Sequence, residues 1–202
     1  MNTLRIRRTA LAVATAAVLP LALAACSEES EDSAAGPAAA APVTADEPFG
    51  PACAGVPAEG AGSFDGMAKD PVATAASNNP ALSTLVAAVK QAGLVDTLNN
   101  AKGITVFAPT NAAFAKIPKA DLDKVLADKA TLTKILTHHV VAQQLTPGQL
   151  ENGSFETLEK GRVTTAGSGD AYRLDNTSNV VCGNVRTANA TVYIVDTVLL
   201  PK

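Results

Sequence analysis

The chain has 202 residues, a formal net charge of −3, 47% hydrophobic residues and only 3% aromatics, with no Trp. At roughly 150 residues per domain this is one domain or a small pair, and nearly half of the chain can contribute to a core. There is no basic surplus to neutralise phosphates, which argues against a nucleic-acid binder, and two His with three Cys are too few for a zinc cluster, a haem array or an iron–sulfur protein.

Arg5, Arg7 and Arg8 form a positive start, and Thr9 to Ala25 follows without a charge, built mainly from Ala, Val and Leu. This run is shorter than the ~20 residues a membrane span needs, and it fits the apolar region of an export signal. It ends Leu23-Ala24-Ala25-Cys26, which resembles the bacterial lipobox. Thioether formation needs a thiol, so Cys26 is the expected lipidation site and residues 1–25 the expected signal peptide. Residues 26–50 read as the lipidated cysteine and a disordered acidic tether. Glu28, Glu29, Glu31, Asp32, Asp46 and Glu47 have no Lys or Arg among them, and Val43 is the one branched aliphatic residue between 27 and 48. Such a stretch cannot bury enough apolar area to offset its ordering entropy, and like charges extend it. From residue 49 onward the chain carries 13 Lys or Arg and 13 Asp or Glu, so the net acidity belongs to the tether. The folded domain is expected at 51–202.

Within it, Cys53 and Cys182 are an even pair in an exported chain, which reads as a disulfide; a redox-active pair is the rival, without CxxC spacing to support it. Asn78-Asn79-Pro80 opens a helix with an Asn cap and a Pro in the first turn. Leu82, Leu85, Val86 and Val89 give that helix one apolar face, and Gly93 stops it. Ile104 to Ala108 is a strand ended by Pro109. Asn111 opens and caps a short helix, Leu122, Val125 and Leu126 mark another, and Asp128 caps a third with Leu132, Ile135, Leu136 and His139 on one face. After residue 140 come short β-like runs at 155–158, 162–165, 172–175 and 180–182. Gly161, Gly167-Ser168-Gly169-Asp170 and Gly183-Asn184 punctuate them. Thr191 to Leu200 reads as a long final strand before Pro201. Helices first and strands late give an α+β class: a single domain with a mostly antiparallel sheet or sandwich and several short helices packed on it.

Three of these segments carry a family resemblance. Ile104 to Ile117, ITVFAPTNAAFAKI, resembles the first signature of the fasciclin domain. Asn189 to Pro201, NATVYIVDTVLLP, resembles the second, and Ile135 to Val141, ILTHHVV, the segment between them. The likeness covers about 64–202. FGPAC at 49–53, GMAKDPVATAASNNP at 66–80 and VVCGNV at 180–185 are similar to the secreted and lipid-anchored fasciclin antigens of mycobacteria and other actinobacteria. In that group the two cysteines flank the domain and pair, which implies a Cys53–Cys182 disulfide.

The resemblance singles out Phe107, Pro109, Thr110, Asn111, Phe114, His138, His139, Asn189 and Asp196, mostly as structural residues. Phe107 and Phe114 are core anchors and Pro109 stops the strand. His139 is a core histidine, which in the family is proposed to support an adhesion-related segment through structure. His138 stands where the family usually has Tyr. The His pair is not read as a metal site, because adjacent residues on a helix point about 100° apart. Asp196 is a satisfied edge or buried carboxylate without a catalytic partner. GxSxG, P-loop, HExxH and dinucleotide-turn patterns are missing, so neither catalysis nor a cofactor is expected. The function expected is a lipid-anchored surface interaction module, held outside the cell membrane through Cys26, monomeric, and contacting an extracellular or envelope protein or glycan. The alternative is a carrier of small apolar or envelope-derived ligands in a groove between helices and sheet.

Overall fold

The computed structural model describes residues 47–201; the expected signal peptide, Cys26 and the tether up to residue 46 lie outside the described residues. Two runs of alternating side chains organise the rest. Strands β1 (Ile104–Pro109) and β7 (Ala190–Val195) are buried at every position. They pair in parallel, with Ile104 beside Ala190 and Pro109 beside Val195. Parallel strands need cover on both faces, and the period of two supplies it. Ile104, Val106, Ala108, Ala190, Val192 and Ile194 face one core, while Phe107, Tyr193 and Val195 face a second.

The first core lies under the helices. These are α1 (Phe64–Met67), α2 (Val72–Ser77), α3 (Ser83–Ala92), α4 (Val95–Asn100), α5 (Asn111–Ala115), α6 (Lys119–Ala127) and α7 (Lys129–His138). The expected helix after Asn79 begins as a 3-10 turn, Pro80–Leu82, with the Asn79 side chain accepting from the Ala81 N–H, and continues as α3. Gly93 ends α3 in the left-handed conformation, φ 75°. Asp128 caps α7 as expected.

The remaining strands are β2 (Val140–Val141), β3 (Asn152–Glu156), β4 (Arg162–Ser168), β5 (Ala171–Leu174) and β6 (Ser178–Arg186). With β1 and β7 they form a seven-stranded sheet in the order β2-β1-β7-β6-β5-β4-β3, antiparallel except at β1–β7. The α+β class and the mostly antiparallel sheet stand as expected. The sheet curls until its ends meet: Val141 bridges Thr157, and the Leu158 N–H donates to the Val140 carbonyl at 2.8 Å. Phe107, Leu145, Leu150, Val163, Tyr172 and Tyr193 fill the inside of the curl.

Two expectations differ. The final strand ends at Val195 rather than Leu200: the Asp196 N–H still donates to the Asn179 carbonyl of β6, but beyond it the backbone bonds to side chains, with Ser178 Oγ donating to the Thr197 carbonyl and the Leu199 N–H donating to His139. Gly183-Asn184 is not a turn. It is an irregularity inside β6, where the register shifts on either side of Cys182 and Asn184 takes φ 57°.

That irregularity receives the start of the domain. Phe49 pairs with Gly183 across two backbone hydrogen bonds, and its ring packs 5.4 Å from Tyr172 and 6.3 Å from Tyr193. A Cβ on Gly183 would stand 2.3 Å from the Phe49 ring, so only glycine fits. Asn184 Nδ2 donates to the Glu47 carbonyl. Residues 47–50, assigned to the tether by composition, thus belong to the folded part. One turn later Cys53 is bonded to Cys182 with Cα atoms 4.9 Å apart, which closes a 129-residue separation. Replacing both cysteines by Ser is expected to lower stability by up to about 5 kcal/mol, the loop-entropy value for so long a link. Urea midpoints of the oxidised protein and the double variant measure this, and equal midpoints would contradict it.

Candidate functional site

The three family-like segments meet at the C-terminal end of the β1–β7 pair. The order of events is local. Pro109 ends β1, and the Thr110 N–H donates to the Val195 carbonyl. Thr110, not Asn111, then caps α5: its Oγ1 accepts from the Ala113 N–H at 3.1 Å. Asn111 caps a different helix. Its Oδ1 accepts from the Thr84 N–H at the start of α3, while its Nδ2 donates to the Pro80 carbonyl and Ser83 Oγ. Phe114 points into the helix-side core and Phe107 into the curl. The FAPTN segment therefore ties β1, α5 and α3 into one corner.

His139 ties the corner to the chain's end. It follows α7 directly and is 2% exposed. Its Nδ1–H donates to the Ile135 carbonyl at 2.8 Å, and Nε2 accepts the Leu199 N–H at 2.9 Å. The backbone amide is a donor only, so the bond to Leu199 requires a bare Nε2 and fixes the neutral Nδ1–H tautomer. The His139 carbonyl accepts the Phe107 N–H at 2.9 Å. One residue thus joins α7, β1 and the segment after β7. Burial first, and the neighbouring His138 in lesser part, push its pKa down from 6.5 to about 4, against the opposing hydrogen bond to Ile135.

His138 is equally buried but serves another seam. Its Nδ1 lies 2.9 Å from Glu159 Oε1, where the sheet closes between β2 and the turn after β3. Its Nε2 is buried with no hydrogen-bond partner among the described residues. A Cβ at Gly161 would meet Glu159 Oε1 at 2.2 Å, so a side chain there would push the Glu159 carboxylate away from His138. Glu159 carries no signal in the sequence, because the partners are 21 residues apart and meet only when the sheet curls.

Asn189 and Asp196 bracket β7. Asn189 Oδ1 accepts the Val72 N–H at the start of α2, and its Nδ2 donates to the carbonyls of Leu98 and Ala101 at the end of α4. One amide therefore serves free backbone groups of two helices. Asp196 accepts from the Asn179 N–H and Nδ2 and from Thr197 Oγ1, and pairs with Lys116 at 3.3 Å. Burial alone would raise its pKa, but the bonds from Asn179, Thr197 and Lys116 outweigh this and hold the carboxyl below the usual range. Asn179 and Lys116, like Glu159, were not singled out in the sequence.

Thr110, Asn111, His138, His139, Asn189 and Asp196 each bond to backbone or side chains of their own surroundings rather than converging on a common cleft. Among the described residues no three His, Cys, Asp or Glu side chains group as metal ligands. The geometry suits a rigid frame that presents loops.

A family model described as Fasciclin domain matches residues 80–201. Immunogenic protein MPB70 of Mycobacterium bovis is 48% identical over 168 residues, covering 79% of this chain and 86% of that protein. Cell surface glycolipoprotein MPB83 of the same organism is 45% identical over an alignment of 214 residues, covering 96% of each. Protein sll1483 of Synechocystis is 39% identical over 128 residues, covering 62% of this chain and 71% of that protein. The solved FAS1 domain pair of the insect cell adhesion molecule Fasciclin I superposes with TM-score 0.55 at 20% identity, covering 67% of this chain. The chain spans about half, 52%, of that structure, and the likeness is one of fold.

Two outcomes test the frame. The unfolded state takes a proton on His139 near pH 6.5, whereas the native state resists until about pH 4. Because the unfolded state binds more protons in this window, stability is full above pH 6.5 and falls as pH drops toward 4, by about 3 kcal/mol. Denaturant unfolding across that range checks it, and His139→Gln flattens the slope. Asn189→Ala strands the Val72 N–H and the carbonyls of Leu98, Asn99 and Ala101 and is expected to cost roughly 3 kcal/mol by the same measurement.

Proposed function

This chain belongs to the fasciclin-domain family, and from that premise we propose that it is a surface-held interaction module without catalysis. Its place is outside the cytoplasmic membrane, anchored through acyl chains on Cys26, with residues 27–46 spacing the domain from the surface. The observation that carries this reading is the alignment with a cell surface glycolipoprotein over 96% of both chains, which takes in much of the N-terminal region as well as the domain. The lipobox-like Leu23-Ala24-Ala25-Cys26 supplies the chemistry of the anchor.

The absence of catalysis is supported by the engagement of the candidate groups. Both nitrogens of His139 are bonded to backbone, and Asp196 is bonded to Asn179, Thr197 and Lys116. Neither has a nucleophile in reach of a substrate. The partner is an extracellular or envelope protein or glycan. Both Tyr side chains and three of the five Phe are buried, so aromatic anchors for a tight interface are scarce. Weak contacts multiplied by many tethered copies suit such a surface.

Intact mass of the protein from its own cells tests the anchor. The expected species begins at Cys26, carries acyl chains and has no free thiol at Cys53 or Cys182. A chain that begins elsewhere or lacks acylation would contradict it. Crosslinking on the intact surface tests the interaction: the wild type is expected to capture an envelope or extracellular partner that the released Cys26→Ser variant captures several-fold less. Equal capture by both forms would remove the tether from the mechanism.

A further inference from the structure

The scarcity of aromatics is uneven. Phe49, Phe107, Tyr172 and Tyr193 all lie in the core inside the curl. The helix-side core is built from aliphatic residues and from Ala73, Ala75, Ala88, Ala92, Ala108, Ala113 and Ala190, with Phe114 its one fully buried aromatic. Ala73 and Ala75 of α2 and Ala108 of β1 line one space, and side chains this short do not fill it. A cavity of about 200 Å³ remains between α2–α4 and the outer face of β1 and β7. Protein interiors are packed like organic crystals, with few voids larger than a water molecule. A void of this size forfeits dispersion contacts along its whole lining.

The lining defines what would restore them. Ala75, Leu85, Val89, Val106, Val192 and Ile194 bound the space with methyl and methylene groups. His139 is the deeply buried titratable side chain on its wall, and both ring nitrogens are already bonded, so no hydrogen bond is on offer to a polar guest from it. Exposed Thr74, Ser77, Lys90 and Thr97 also contribute to the lining, so the cavity reaches the surface. An engineered cavity of ~150 Å³ lined by Leu, Ile and Phe takes a six-carbon ring. In the same proportion this one takes about eight carbons. The space is bounded by α2, α3 and α4 on one side and by β1 and β7 on the other, so an occupant is held between a helix layer and a sheet face.

We propose that the cavity between α2–α4 and the β1–β7 pair binds the linear hydrocarbon chain of an amphiphile, about eight carbons deep, with its polar head left at the surface. This is independent of the surface-module function and of what the module contacts.

Titration calorimetry with butyrate, hexanoate, octanoate and decanoate, each below its micelle concentration, tests it on the full chain carrying Cys26→Ser. Affinity is expected to rise about fourfold per methylene and to level off beyond eight to ten carbons, where the cavity is full. Ala75→Leu, which fills the space from α2, is expected to weaken octanoate at least tenfold. Ala76→Leu, on the partly buried edge of the same helix, provides a second filler should the first fail to fold. The absence of saturable binding by any of the four, or unchanged octanoate affinity in a folded filler variant, would overturn the proposal.

Discussion

A buried imidazole that stays neutral down to about pH 4 joins three separate parts of this structure. His139 donates to Ile135 within its own helix, accepts from Leu199 beyond the last strand, and offers its carbonyl to Phe107 in the first. A parallel strand pair cannot be closed by a tight turn; its two strands come from distant parts of the chain and need a connection of a dozen residues or more. Here the connection runs from Pro109 to Ala190 and contains most of the fold. His139 lies within that connection and bonds to Phe107 in β1 and to Leu199 in the segment after β7. It turns a long-range pairing, slow to find and costly in loop entropy, into one that is locked once found.

Around that lock the two cores divide the work. The curl holds the aromatics and is sealed where β2 meets the turn after β3, with His138 and Glu159 beside the seam. The helix side holds the alanines and aliphatics, and its helix ends are satisfied by side chains from far away: Asn189 serves α2 and α4, and Asn111 serves α3. These asparagines explain why the family-like segments are polar at positions that a purely apolar corner would fill with carbon. Buried backbone ends need partners, and short amides on rigid turns are well placed to supply them. The N-terminal Phe49 and the Cys53–Cys182 link then pin the start of the domain to the irregular part of β6.

Much of this was legible from residue patterns. Apolar spacing located α3 and α7, the punctuation by Pro109 and Gly93 set element ends, and the ordered motifs identified the fold. What sequence could not place was anything created by closure. Glu159 meets His138 only after the sheet curls. Asn111 sits at a helix start and reads as its cap, yet Thr110 one residue earlier takes that role and frees Asn111 to reach α3. Gly183-Asn184 has turn composition, but the incoming Phe49 strand fragment holds it inside β6 as an irregularity. Thr191 to Leu200 has strand composition throughout, yet its last third bonds to His139 and Ser178 because no neighbouring strand extends beside it. In each case local chemistry named a capability and a distant segment chose how it was used.

The central claim is that His139 is a fixed, uncharged link. Long-range ¹H–¹⁵N NMR of its imidazole measures this directly. Between pH 5 and 8 the ring is predicted to hold a single neutral tautomer, protonated at Nδ1, with chemical shifts that do not move until pH approaches 4. An Nε2–H tautomer, or a titration centred near the ordinary histidine value, would contradict it.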